Sequence, residues 1–174
     1  MSSLYSQRPP FIKALPIYFL NLVLLILSTQ TVDFVAVDNV HVVVFLTAIF
    51  YWVVHLPAVL PLWFIFIAGL TIDFSLDSLL GLHAFAFVLY TLVLYKTRRI
   101  ILSQPFIYHL IIFILSVAFF ELLRWGGVSL LSMQILSVLP SLLAVVLNIV
   151  AFIPLTLVLR HLHRVVSGYG RSSL

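Results

Sequence analysis

The sequence predicts an all-α, polytopic integral membrane protein: a six-helix transmembrane bundle with its N-terminus and C-terminus cytoplasmic. Three observations lead there. Of 174 residues, 64% are hydrophobic and only 8% charged, with a mean hydropathy of +1.27, whereas a soluble domain carries about 25% charge. So few charges cannot coat a water-soluble fold of this size. The apolar residues also gather into runs that approach the ~20 residues a membrane helix needs, and the basic residues flank those runs asymmetrically. A soluble enzyme and a disordered chain are excluded, and no polar stretch is long enough to be a globular head on an anchor. The absence of cysteine removes disulfides, thiolate metal sites and cysteine nucleophiles. The net charge of +4 reads as positive flanks against an anionic leaflet, not as a nucleic-acid surface.

One transmembrane domain covers 1–174, with spans at about 11–28, 40–54, 58–73, 82–95, 105–123 and 135–159. The first follows Arg8, includes Lys13 and resembles a signal peptide. Without an A-x-A-like site behind it, it reads as a retained helix. Pro16 falls in its first turns, where a missing N–H costs least. A polar break with Asp33 and Asp38 precedes the second run, Val40 to Val54. That run reaches only ~22 Å and ends in Tyr51 and Trp52, rings expected at headgroup depth. Pro57 and Pro61 bracket a tight turn. The third run, Leu62 to Ile72, spans only if it starts near Ala58 and continues through Asp73. The fourth ends at Tyr95, before a 96–104 loop with Lys96, Arg98 and Arg99. Pro105 opens the fifth as a first helical residue, and Trp125-Gly126-Gly127 is expected to stop it. The stretch 128–134 fits an interfacial segment. The sixth holds Pro140 and Pro154, and Arg160, His161, His163, Arg164 and Arg171 follow it.

Six spans with a cytoplasmic N-terminus place every Lys and Arg except Arg124 on the inner side. That bias satisfies the positive-inside rule, and removing one middle span spoils it.

Polar residues at membrane depth are costly and therefore informative. Asp73 and Asp77 lie four apart, with His83 beyond them. Either they read as a proton- or cation-handling pair, since close carboxylates repel and one can hold a proton, or Asp73 caps a helix or re-entrant turn by accepting backbone N–H groups, with Ser75, Ser78 and Gly81 shaping the loop. His83 can bond to either acid. Gly69 and Gly81 suit close backbone approach, and Ala84 extends the small-residue region. Asn21 and Asn148 need hydrogen bonds inside the protein or across an interface. Glu121 and Arg124, three apart, form an ion pair orienting the fifth helix. Lys96, Arg98, Arg99, Arg160 and Arg164 read as cytoplasmic basic anchors that can touch anionic lipid. The sequence holds no H-x-x-x-H or H-E-x-x-H, no P-loop and no G-x-S-x-G. Ser116 lies mid-span with no base placed beside it. A non-enzymatic protein without cofactor or metal is expected.

The segment Gly69-x-x-x-Asp73, followed by Leu80-Gly81-x-His83-Ala84, resembles the G-x-x-x-D … L-G-x-x-A pattern of the bacterial rod shape-determining protein MreD family. Length, the hydrophobic first half and the two basic clusters extend the likeness over roughly 15–165. Asp77 departs from it, where relatives often carry glycine or serine. The resemblance implies a non-enzymatic scaffold subunit of the cell-wall elongation machinery in the bacterial inner membrane. Its implied partner is the bitopic coiled-coil protein MreC, and through it MreB and the elongation glycosyltransferase and transpeptidase. It also implies a fold similar to the membrane-embedded substrate-binding subunits of vitamin uptake transporters. The alternative is therefore a small-molecule-binding or transport subunit, with Asp73, Asp77 and His83 at the mouth of an outer-side cavity.

Overall fold

In lipid every backbone N–H and C=O must be satisfied internally, which leaves the helix as the default conformation of an apolar run. A computed structural model describes residues 11–34, 37–75, 80–133 and 137–168 and follows this rule. Helices α1 (Phe11–Ser28), α2 (Phe45–His55), α3 (Leu62–Ser75), α4 (Leu82–Leu102), α5 (Phe106–Ser132) and α6 (Leu139–Gly168) form the bundle, with strands β1 (Thr31–Phe34) and β2 (Val37–His41) between α1 and α2. Among the described residues two helices, α5 and α6, are long and apolar enough, by length and composition, to cross a membrane. Arg8, Asp77, Ser78 and Arg171 lie outside the described residues.

Several expected boundaries move, each for a local reason. The second run does not begin at Val40. Thr31, Val32, Val37 and Val40 favour extended backbone, and β1 and β2 pair antiparallel with Thr31 opposite His41 and Val32 opposite Val40. The helical bundle thus carries a short hairpin in what reads as a polar break. Val40 packs against Ala144 of α6, with Leu143 and Leu147 around them. Ser28 joins the ends of α1 and α2: its hydroxyl donates to Leu24 O (2.8 Å) and accepts the Phe45 N–H (2.8 Å), one of the orphan donors at a helix start.

Lys96, Arg98 and Arg99 lie on the last turns of α4, not in a loop, where cations complement the helix dipole. Lys96 and Arg99 are exposed and Arg98 is half-buried. Likewise α6 continues past residue 159 through Arg160, His161, His163 and Arg164. The pair Gly126-Gly127 does not stop α5. A glycine costs a helix about 1 kcal/mol, less than the several kcal/mol of a backbone group left unpaired in hydrocarbon. The helix runs on through the stretch expected to be interfacial and ends at Met133, in the left-handed region with φ 49°.

The core is built around α2, whose residues from Phe45 to Val54 are all buried. Tyr51 and Trp52, expected at headgroup depth, are 4% and 0% exposed. They turn inward because partners exist there. The Tyr51 ring stacks on His55 at 4.4 Å, and its hydroxyl lies 3.2 Å from His163 Nδ1 on α6. Phe50 meets Phe113 of α5 and Phe152 of α6 edge-on, each at 5.8 Å, and those two stack at 4.1 Å. Lipid tails are as apolar as these side chains, so shape-matched packing rather than water exclusion holds them together. The outward positions of α5 and α6, such as Leu115, Phe119, Val146 and Val150, are exposed hydrophobics that suit lipid.

Candidate functional site

The site grows from one backbone contact. A Cβ built on Gly69 would fall within 2.6 Å of Ala84 N and closer still to its Cα, so α3 and α4 touch backbone to backbone. Only glycine permits that approach. One turn along α3, Asp73 is thereby brought to the first turn of α4. Gly81, with φ +96°, turns the chain into that helix, a left-handed conformation that glycine adopts without penalty.

The Asp73 carboxylate, 1% exposed, gathers the N–H groups that α4 leaves without helical partners. Its Oδ2 accepts from Gly81 N (2.9 Å) and, at 3.4 Å, from Ala84 N; its Oδ1 accepts from His83 N (3.0 Å). The negative charge sits at the positive end of the helix dipole. The imidazole of His83 approaches the same oxygen, with Nδ1 2.7 Å from Oδ1. An ionised carboxylate can only accept, so the hydrogen-bond network assigns the Nδ1 proton to His83. That leaves Nε2, buried and without a partner. The ring packs at 5.3 Å from Phe120 on α5.

A second cluster joins α5 to α6 at the same end. Arg124 Nη2 and Nε lie 2.8 and 3.0 Å from Glu121 Oε2, and Arg124 Nη2 donates to Ser141 Oγ at 3.1 Å. Glu121 is 2% exposed, and His83 lies within electrostatic reach of its carboxylate. Its Oε1 is buried without a hydrogen-bond partner. Four helices therefore converge on Asp73, His83, Glu121, Arg124 and Ser141. Ser141 was not singled out from the sequence, and neither was Phe120. A serine in a first helical turn and a phenylalanine in a Phe-rich run carry no signal of their own.

The remaining candidates stand apart. Asn21 and Asn148 each donate Nδ2 to the carbonyl four residues back, Ile17 and Ala144, at 2.8 Å, and bury an unpartnered Oδ1. Arg160 and Arg164 occupy the opposite end of the bundle, near His163. His55 and His109 also arrive there: the His55 ring centroid lies 6.2 Å from that of His163 and 6.3 Å from that of His109. Their positions along the chain give no hint of this meeting.

Chemically, the Asp73 node holds helices and has its acceptors filled. Cavities of about 640, 610 and 450 Å³ are lined without Asp73 or His83. The Ser116 hydroxyl donates to Ile112 O at 2.6 Å. Among the described residues no group of three His, Asp or Glu is placed to hold a metal ion.

The sequence model of a family described as rod shape-determining protein MreD matches residues 11–166 of the chain. No curated protein and no solved structure matches significantly.

Proposed function

Since the chain belongs to the rod shape-determining protein MreD family, we propose that this membrane protein is a non-enzymatic scaffold subunit of the bacterial wall-elongation machinery. The single observation that carries this reading is the family match over almost the whole bundle, which suggests a role in determining rod shape. In the proposal the protein sits as a multi-pass component of the inner membrane. It acts through the bitopic coiled-coil protein MreC, and so indirectly on MreB and on the glycosyltransferase and transpeptidase that build the side wall. The geometry supports a scaffold because the buried charges are spent on joining helices: Asp73 on α4, Arg124 on α5 and α6. A rigid bundle with small-residue contacts offers fixed helix faces to other membrane helices.

We further propose six spans with both ends cytoplasmic, an architecture shared with the substrate-binding membrane subunits of vitamin transporters. The grouping of helix ends supports it. The Tyr95 hydroxyl near the end of α4 lies 3.4 Å from the carbonyls of Pro57 and Leu60, so the 56–61 turn and the basic end of α4 share one end of the bundle. The side chains of Asp73 and His83 bond to each other at the start of α4 and line none of the cavities described above, so no observation among the described residues favours the small-molecule reading.

Depletion in a rod-shaped cell tests the function. Rounded cells, and a membrane-anchored coiled-coil partner retained through purification in mild detergent, are the expected outcome. Normal rods with an intact elongation complex after deletion would refute it.

A further inference from the structure

One groove lies far from the Asp73 node, and nothing in the shape-determining role accounts for it. Its volume is about 640 Å³, and it runs between the end of α2, the start of α5 and the last turns of α6. Along α6 the lining residues follow the three-and-four spacing of a single helix face: Ile153, Thr156 and Leu157, Arg160, then His163 and Arg164. That face changes from apolar to cationic over roughly 16 Å, at 1.5 Å per residue. Ile153 and Leu157 are exposed, as are both arginines. Phe152 of α6 and Phe106 of α5, stacked at 6.3 Å, add to the apolar lining.

Between the two regions sits Thr156. Helical Thr71, Thr91 and Thr97 each donate to the carbonyl four residues back. Thr156, like Thr47 of α2, does not: its hydroxyl is buried and without a partner, but of the two only Thr156 lines this groove, a donor in an environment where unpaired polar groups are costly. The three histidines at this end do not form a metal site, and two guanidinium groups beside them repel a cation while attracting an anion.

We propose that this groove binds one anionic phospholipid. The acyl chain lies along Ile153, Leu157, Phe106 and Phe152; an ester carbonyl accepts the Thr156 hydroxyl; the phosphate meets Arg160 and Arg164, whose planar donors suit phosphate oxygens. The order of chemistries along the face matches the order along the lipid. Charge complementarity selects an anionic over a zwitterionic headgroup. This assignment stands independently of the wall-elongation role.

The test loads the full chain, purified in mild detergent, with phosphatidylglycerol or phosphatidylcholine and counts retained lipid by native mass spectrometry. One retained phosphatidylglycerol is expected in preference to phosphatidylcholine. The double variant R160Q/R164Q weakens retention roughly twenty-five-fold, about fivefold for each cation at a membrane surface. The control K96Q/R99Q removes equal charge from exposed positions that do not line the groove and stays within about twofold of the parent, since exposed charges that make no contact with the lipid are screened by salt. Ile153→Trp fills the apolar arm without touching the charges and lowers retention as well, which keeps the test decisive if R160Q/R164Q does not fold. Equal losses in the two charge variants would overturn the proposal in favour of general surface attraction. Displacement by millimolar inorganic phosphate would overturn it in favour of a soluble anion. A cross-link from Leu157→Cys to a polypeptide in place of lipid would overturn it in favour of a protein helix.

Discussion

The backbone contact at Gly69 makes a prediction whose size follows from geometry. Gly69→Ala adds a single methyl group. That carbon falls within 2.6 Å of Ala84 N, whereas non-bonded heavy atoms rest about 3.5–4.0 Å apart. Backbone cannot rotate away as a side chain does, so α3 and α4 must part by roughly 1 Å. Overpacking of this kind costs about 1–3 kcal/mol. The same displacement stretches the bonds from Gly81 and His83 to Asp73, now 2.9 and 3.0 Å, and hydrogen bonds to a charged group are worth about 1.5–3 kcal/mol each. Against this, alanine returns about 1 kcal/mol of helix propensity. The net expectation is a loss of about 3 kcal/mol, or roughly 6–12 °C in melting temperature for a chain of this length. Gly126→Ala is the internal control: nothing lies within 4 Å of its added carbon, so it should be neutral or stabilising by up to about 1 kcal/mol. Thermal unfolding of both variants in one detergent, followed by tryptophan fluorescence, decides it. Equal melting temperatures for the two variants would refute the close contact and the placement of Asp73 that depends on it.

Asp73→Asn keeps the shape but turns an amide nitrogen toward the N–H of Gly81 or of His83; a loss of about 2–4 kcal/mol is expected, and parent-like unfolding would show that the carboxylate does not cap α4. Arg124→Gln leaves Glu121 buried without its cation and should cost about 3–5 kcal/mol. The double variant E121Q/R124Q removes both charges and should be milder, an ordering that thermal melts read directly; equal losses would mean the pair is not the determinant. Reporter fusions after residues 100 and 170 should report the cytoplasm, and those after 35 and 76 the opposite side. A signal from outside at residue 100 would overturn the proposed orientation.

Much of this arrangement is written locally in the chain. Apolar runs mark the helices because hydrocarbon leaves the backbone no other satisfied conformation, and the spacing of Gly69, Asp73 and Gly81 singles out the segment where α3 hands over to α4. What is not local is hidden. The bond between Asp73 and His83 is legible, because the two lie on either side of one short polar turn, but nothing in the sequence says that Phe120 or Ser141 lies beside them. The inward turn of Tyr51 and Trp52 is hidden for the same reason: amphipathic rings at the end of an apolar run fit a headgroup layer equally well until His55 and His163 are seen to meet them. Gly126-Gly127 misleads in the opposite direction, because propensities measured in water overstate how readily glycine ends a helix in lipid.

The unequal lengths of the helices have a consequence for the surrounding bilayer. Helix α3, 14 residues long and with Trp63, Phe66, Ile67 and Phe74 facing outward, offers an apolar band of roughly 21 Å. The 25-residue apolar stretch of α5 offers roughly 37 Å, and the hydrocarbon between the headgroups is about 30 Å thick. In the six-span arrangement proposed above, lipid is therefore compressed beside α3 and must be met by tilt or local thickening beside α5, at a fraction of a kcal/mol per Å. A neighbouring protein with a similarly short span relieves that compression by settling beside α3, so the membrane's own elasticity sorts companions before any side chains touch.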